Sequence, residues 1–117
     1  MEKIEVVLYQ TDKGKCPMKE FMDSLTIKMR AKVLRSIGLL QNNSFLLREP
    51  FSKALGDGIF ELRIKLANNI TRVLYFFVID RKVVLTNGFV KKTQKTPQKE
   101  IELAKKYRYD YLKRKDD

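Results

Sequence analysis

Basic side chains are concentrated in two segments of this chain that otherwise consist largely of apolar residues. Arg63 and Arg72 lie in GIFELRIKLANNITRVLYFF, and Lys91 and Lys92 lie in NGFVKKTQKTP. Arginine stays charged and binds phosphate through two parallel hydrogen bonds. Lysine binds phosphate as a point charge. These four residues are therefore candidates for contacts to a phosphodiester backbone.

The first segment is predicted to form a β-hairpin, and its register decides which residues share a face. A two-residue turn at Asn68-Asn69, where asparagine tolerates positive φ, places Lys65 opposite Arg72. Side chains opposite one another share a face, so Arg63 is expected on the same cationic face. The other face is expected to belong to the core: Phe60, Leu62, Ile64, Val73, Tyr75, Phe77 and Ile79.

The following turn decides which lysine joins the cationic face. A two-residue turn within residues 80–82 brings Phe89 and Lys91 to that face, whereas a three-residue turn brings Lys92 instead. Phe76 and Phe89 are expected to expose aromatic surface beside the cations. Stacking on such rings is worth ~1–3 kcal/mol per base.

A purely structural reading of the two arginines is also open. Arg63 and Arg72 have candidate ion-pair partners in Glu61, Asp57 and Asp80 on a solvated face. Like charges placed opposite each other destabilise a sheet by a fraction of ~1 kcal/mol per pair. The pattern alone leaves both readings in place.

Charge and composition limit the classes of function. The chain has 117 residues, 25 Lys and Arg against 14 Asp and Glu, and a net charge of +11. This balance indicates nucleic acid, an anionic membrane surface or an acidic protein as partner, or simply a solubility surface. Histidine is absent, which excludes a Ser-His-Asp triad, a histidine zinc site and a histidine-pair ribonuclease. We expect no metal and no cofactor.

Cysteine usage and hydropathy indicate the compartment. Cys16 is the single cysteine, so an internal disulfide is impossible and a reducing compartment is favoured. The N-terminus lacks the apolar core of a signal peptide, and no apolar run approaches the ~20 residues of a membrane span. A cytoplasmic location is expected.

The periodicity of apolar residues predicts one α+β domain, residues 1–117, with the order βααβββα. The helices are expected to pack on a twisted, antiparallel-rich sheet. Thr26 and Thr96 are predicted N-caps, the second followed by Pro97. The strands are predicted at 3–9, 59–66, 70–79 and 83–90, the helices at 17–25, 27–42 and 97–113, and residues 45–57 are expected to be irregular. The apolar stripe of the second helix is predicted to be Met29, Val33, Leu34, Ile37 and Leu40.

The segments LGDGIFELRIKLANNITRVLYFF and LTNGFVKKTQKTPQKEIELAKK resemble the RelE/ParE superfamily of bacterial and phage toxins, specifically its HigB-like branch. The resemblance implies a RelE-like small domain with a basic concave sheet. It further implies a ribosome-dependent mRNA interferase, an endoribonuclease that cleaves translated mRNA by metal-independent 2′-hydroxyl attack. The expected catalytic residues are Arg63, Arg72, Lys91 and Lys92. In such a reaction the two arginines stabilise the phosphorane, and Lys91 or Lys92 acts as the general base if neighbouring cations depress its pKa, with Glu61 as the alternative base. The expected RNA contacts are Lys53, Lys65, Phe89 and Lys95. Some relatives place a tyrosine near the last strand, where this chain reads Asn-Gly-Phe-Val.

The same resemblance implies the partners. These are a HigA-like helix-turn-helix antitoxin, held in a toxin–antitoxin hetero-oligomer, and the ribosome with its mRNA, with no role for a membrane. Two alternatives stay open, because a fold does not determine a function. One is a ParE-like poison of DNA gyrase, and the other is a non-catalytic nucleic-acid-binding module.

Overall fold

A five-stranded mixed sheet carries helices on both of its faces. The computed structural model describes residues 3–79, 81–91 and 95–115. Its elements are β1 (Glu5–Leu8), α1 (Pro17–Asp23), α2 (Ile27–Asn43), a 3-10 turn (Ser44–Leu46), β2 (Ser52–Gly56), β3 (Ile59–Leu66), β4 (Asn69–Val78), β5 (Lys82–Lys91) and α3 (Gln98–Lys115). The α+β class is confirmed, and the observed order has one strand more than the predicted order.

The strand order in the sheet is β1-β5-β4-β3-β2. The pairs β2–β3, β3–β4 and β4–β5 are antiparallel, whereas β1 runs parallel to β5. The second half of the chain therefore forms a meander of four strands, and the N-terminal strand closes one edge of it. Within the part of the chain that the structure describes, no helix is long and apolar enough to cross a membrane.

The extra strand is β2, in a segment that the sequence predicted to be irregular. Ser52 and Lys53 pair with Leu62 and Glu61 of β3. Gly56, a predicted breaker, has a φ of 99° and opens the tight connection to β3 instead of preventing a strand. A glycine at a strand end and a glycine in a loop give the same sequence signal, which explains the error.

The first face of the sheet packs against α1 and α2. The hydroxyl of Thr26 accepts a hydrogen bond from the Met29 N–H at 3.1 Å, so the predicted N-cap is confirmed. Two predicted core positions are wrong. The side chain of Leu34 is exposed, and Ile79 is exposed because β4 ends one residue before it. The buried members of this cluster include Met18, Met29, Val33, Leu40, Leu62, Ile64, Val73 and Tyr75.

The second face lies under α3. The sequence pattern did not indicate which face of the sheet this helix covers. Leu74 and Phe76 are fully buried and cluster with Ala104 of α3. The expected exposed aromatic surface is therefore wrong for Phe76, and Phe89 is largely covered as well. The cause is that β4 is apolar on both faces, a pattern typical of strands covered on both sides.

Tyr9 connects the end of β1 to α3. Its hydroxyl donates to the Asp110 carboxylate at 2.6 Å, and its ring stacks on Tyr107 with centroids 4.6 Å apart. Burial, followed by the bond to Asp110, raises the pKa of Tyr9 to about 12. Arg114 donates to the same carboxylate at 2.7 Å. The neutral phenol and the ion pair together fix the C-terminal half of α3 on the sheet.

The turn of the β3–β4 hairpin lies one residue earlier than predicted, and this shifts the pairing register by two residues. Leu66 pairs with Asn69, so Ala67 and Asn68 form the turn, and Arg63 lies directly opposite Arg72. The predicted pairing of Lys65 with Arg72 is wrong. A shift of two preserves the side-chain alternation, so the predicted shared face is nevertheless confirmed.

The β4–β5 connection contains two deviations that cancel. Val78 pairs with Lys82, so three residues separate the strands where two were predicted. This change alone would move every later side chain of β5 to the other face. A bulge between the Val73 and Tyr75 pairings restores the alternation, and Arg72 pairs with Phe89 as the two-residue turn would have placed it.

The close packing of Gly88 against Phe21 leads to a prediction about stability. An added Cβ at this position would overlap the Phe21 ring of α1, whereas a Cβ at Gly38 in α2 meets no atom within 4 Å. We expect Gly88→Ala to lower the free energy of unfolding by about 1–3 kcal/mol through overpacking. Gly38→Ala should raise it by up to about 1 kcal/mol through helix propensity. Urea unfolding of both variants measures the difference.

Phe21→Ala provides the control for this prediction. When Phe21 is already alanine, Gly88→Ala should lower the free energy of unfolding clearly less than it does in the wild type, because the ring that the new Cβ would overlap is absent. Equal costs in the two backgrounds would show that Phe21 is not the cause.

Candidate nucleic-acid interface

Two cross-strand rows place the predicted cations on the face that the sheet shares with α3. Arg63, Arg72 and Phe89 form one row, and Lys65, Ile70 and Lys91 form the next row toward the strand ends. A cleft of about 240 Å³ includes residues from both rows. The cleft is lined by Pro50, Arg63, Lys65 and Ile70.

Arg72 lies beneath this cleft with no exposed surface. Its side chain is 0% exposed and its partner Glu61 is 2% exposed, with the Arg72 Nε 3.9 Å from the Glu61 Oε1. Burial lowers the pKa of Arg72, the Glu61 charge raises it, and Arg63 lowers it further. The pairing with Glu61 that the sequence left open is therefore present, but it is buried and not solvated. Arg72 is placed to position its neighbours and does not itself reach the surface.

Thr96 completes this buried group. Its hydroxyl donates to Glu61 Oε1 and accepts from the Nη1 of Arg72, the latter at 3.1 Å. The predicted N-cap role is wrong, because the first backbone acceptor of α3 is the Pro97 carbonyl, which bonds the Glu100 N–H at 3.1 Å. The residue just before the helix thus joins two charges in the sheet. We refer to Glu61, Arg72 and Thr96 as the buried triad.

Arg63 joins the triad to the surface. Its Nε lies 3.7 Å from the second oxygen of Glu61, and its side chain is 20% exposed. One carboxylate thus lies between two guanidinium groups, which leaves a local excess of positive charge. Because Arg63 is held on one side and lines the cleft on the other, it is the predicted catalytic cation best placed to meet an anion.

A second set of polar contacts fixes the start of α3. The Asn87 side-chain amide donates to the Oε1 of Glu100 at 3.1 Å and to its backbone oxygen at 3.3 Å. Thr86 holds the other end of that amide, with its hydroxyl 2.7 Å from the Asn87 oxygen. Both residues sit at the β5 bulge. Sequence reasoning missed them because no local pattern marks a bulge; buried polar residues in a strand are the only signal.

Of the remaining predicted residues that the structure describes, only Lys65 is among those that line the cleft. Lys53 is exposed and pairs across the strands with Glu61. Lys65 and Lys95 are exposed as well. Lys91 is placed by its backbone pairing with Ile70, and Lys92 lies outside the described residues. Over residues 3–79, 81–91 and 95–115, no group of three or more acidic or cysteine side chains is placed to hold a metal ion.

Removal of the Thr96 hydroxyl should destabilise the fold. In Thr96→Val, which keeps the shape, Glu61 and Arg72 each lose a buried hydrogen bond, so we expect a loss of about 1–3 kcal/mol in the free energy of unfolding. Thr96→Ser keeps the hydroxyl and should retain most of the free energy of unfolding. Thr71 provides a matched control, since it is fully buried and its hydroxyl has no hydrogen-bond partner. Thr71→Val should be neutral or stabilising, and a Thr96→Val variant as stable as that control would contradict the assigned role.

The comparison with known proteins identifies the family. The sequence profile described as phage derived protein Gp49-like (DUF891) matches residues 20–109, from α1 into α3, and so includes Arg63 and the buried triad. That family is commonly associated with RelE-like toxins of toxin–antitoxin systems. A search of curated proteins gives no match. Since the matched segment covers well over half of the sequence, the chain belongs to the Gp49-like family of phage-derived proteins.

Proposed function

We propose that this chain is the toxin of a type II toxin–antitoxin system and acts as a ribosome-dependent mRNA endoribonuclease of the HigB-like branch of the RelE/ParE superfamily. The observation that carries the proposal is the cleft in which Arg63 and Lys65 are accessible while the charge of Arg72 is fixed below them. Membership of the Gp49-like family is compatible with a toxin. The net charge of +11 favours a polyanionic substrate.

The proposed reaction needs only groups carried by the RNA and by this chain. The 2′-oxygen attacks the adjacent phosphorus, a bond from phosphorus to that oxygen forms, and the bond to the 5′-oxygen breaks. The products are a cyclic 2′,3′-phosphate and a 5′-hydroxyl. Arg63 stabilises the negative charge that develops on the phosphorane. One lysine of the Lys91-Lys92 pair takes the 2′-proton, and the other, as an ammonium ion, gives a proton to the 5′-oxygen as it leaves, so that the pair as a whole neither gains nor loses a proton.

The buried triad changes the roles expected from the sequence for Glu61 and Arg72. Glu61 is a poor general base because it is nearly inaccessible and lies between two arginines. Arg72 acts through Glu61, whose second oxygen lies 3.7 Å from the Nε of Arg63, a residue that also lines the cleft. We therefore assign Arg72 as a positioning residue, with Lys53, Lys65 and Lys95 as contacts to the RNA backbone. Phe89 contributes at most a ring edge, since it is largely buried.

The proposal includes the partners expected for such a toxin. The substrate is mRNA on the translating ribosome, in the cytoplasm. The neutralising partner is a HigA-like helix-turn-helix antitoxin, which forms a hetero-oligomer with this chain. A strongly basic protein attracts an acidic partner at long range, and this steering weakens as salt screens it.

Growth inhibition should depend on Arg63. Expression of the chain alone is expected to arrest bacterial growth, and Arg63→Gln should relieve the arrest, since loss of a contact to the developing charge costs ~10²–10³ in rate. Arg35→Gln is the charge-matched control, because Arg35 is exposed on α2 and is not among the residues that line the cleft. Arg72→Ala is not a suitable test, because removal of one partner of a buried ion pair costs about 3–5 kcal/mol of stability.

Colony counts after induction measure the effect, and circular dichroism checks that the variants fold. Full toxicity of a folded Arg63→Gln protein would place the active site elsewhere. Induction of DNA damage before translation stops would favour the gyrase poison.

Cleavage should require the ribosome. Lysines and arginines alone make a weak acid–base pair, so positioning of the mRNA by the ribosome is expected to supply much of the rate. In a purified translation system we expect cuts phased with codons, and naked RNA of the same sequence should remain intact over the same time. Primer extension maps the cuts. Efficient, chelator-sensitive cutting of naked RNA would contradict the proposed mechanism.

A further inference from the structure

The side of α2 that faces away from the sheet is an exposed apolar stripe. Ile27, Ala31, Leu34 and Gly38 recur at spacings of four and three residues, which places them on one side of the helix. Ile27 is 84% exposed and Leu34 is 56% exposed, whereas the opposite side of α2 is buried in the core. A single exposed apolar residue is ordinary, but a row of them along one helix is a surface that another apolar surface can cover.

Two cations lie along one edge of this stripe. Lys28 and Arg35 are seven residues apart, so they lie on the same side of the helix about two turns from each other, and both are exposed. Within the part of the chain that the structure describes, neither side chain takes part in an ion pair. We refer to the stripe and these two cations as the outer face of α2: Ile27, Lys28, Ala31, Leu34, Arg35 and Gly38.

The other charges of α2 are also positive. Arg30 and Lys32 turn toward the rest of the fold, where the Arg30 Nε donates to the Met22 carbonyl at 3.0 Å and the Lys32 Nζ donates to the Lys65 carbonyl at 2.6 Å. Carbonyl oxygens satisfy the hydrogen bonds of these cations but do not cancel their charge. No aspartate or glutamate occurs in residues 24–48. The outer face of α2 therefore lies in a positive field, which attracts carboxylates and repels cations.

The combination of an apolar stripe with uncompensated cations favours one kind of occupant. A phosphate backbone would meet Lys28 and Arg35 but would leave Ile27 and Leu34 uncovered. The α2 of a second copy would cover the stripe, but it would bring the same cations and no carboxylate. An added strand needs unpaired backbone groups, which the interior of a helix does not offer. A helix with acidic side chains beside its apolar ones matches both features.

We propose that the outer face of α2 binds one amphipathic helix of a partner protein, with apolar side chains over Ile27 and Leu34 and carboxylates against Lys28 and Arg35. With 17 residues at ~1.5 Å per residue, α2 is long enough to lie along about four turns of such a helix. The residues that line the proposed RNA cleft include none from this face. The inference therefore stands whether or not the cleft cuts RNA.

A displayed library of random 16-residue peptides, selected on the purified chain, tests the proposal. Fluorescence anisotropy measures the affinities of the enriched sequences. We expect acidic sequences with apolar residues at helical spacing, and binding at least tenfold weaker to Leu34→Ser and to the double variant Lys28→Gln, Arg35→Gln. The loss in the double variant should shrink in high salt, where the attraction is screened, whereas the loss in Leu34→Ser should persist.

Matched controls lie on α3, which packs on the other face of the sheet. Tyr109→Ser removes an exposed ring and Lys106→Gln removes an exposed charge, so both variants should bind the peptides as the wild type does. Arg35→Gln should keep full toxicity when the chain is expressed alone, because no partner helix is needed for that activity. A failure of the helix site and a failure of the RNA cleft are therefore distinguishable.

Four results would overturn the proposal. If no peptide is enriched, or if the enriched peptides are neutral or basic, the face does not bind an acidic helix. Weakening by Arg63→Gln, with no effect of Leu34→Ser, would place the acidic peptides in the cleft. Light scattering that detects a dimer dissolved by Leu34→Ser would show that a second copy of this chain covers the face.

Discussion

The guanidinium of Arg72 has no exposed surface, and the arrangement of the surrounding residues follows from that constraint. Burial of an ion costs several kcal/mol unless its charge and its hydrogen-bonding groups are matched. Glu61 supplies the charge from β3, and Thr96 supplies a hydroxyl from the residue before Pro97 and α3. Two strands and a helix start must therefore be in place together. The partly exposed Arg63 then takes its orientation from a group that cannot move independently.

The sequence predicted the elements whose signals lie within the element itself. β3 was predicted at its observed bounds because its apolar residues alternate between two turn-forming segments. The cap at Thr26 was predicted because the residue type and the helix start coincide. The missed features depend on distant partners: β2 needs β3 to pair with, and the coverage of Phe76 needs α3. The bulge at Thr86 and Asn87 has no local signature beyond the presence of two polar residues inside a strand.

The sequence predicted which cations share a face of the sheet, but it did not predict which of them are exposed or what they bond to. Alternation placed Arg63, Arg72 and Phe89 together, since a register error of two residues leaves the face unchanged. Exposure does not follow from alternation, because it depends on what covers the face. A threonine before a proline is an ordinary helix cap by sequence, and only the folded chain shows that the Thr96 hydroxyl is used by two charged residues of the sheet.

The parallel pairing of β1 with β5 has a consequence for how the chain folds. Glu5 pairs with Lys82, so the first strand of the chain finds its partner only after the four-stranded meander and both N-terminal helices have been synthesised. Contacts so far apart in sequence carry a large loop-closure entropy and form slowly. The meander can assemble first from neighbouring hairpins, with the edge of β5 unpaired until β1 arrives. That interval is when the nascent chain is most exposed to edge-to-edge aggregation.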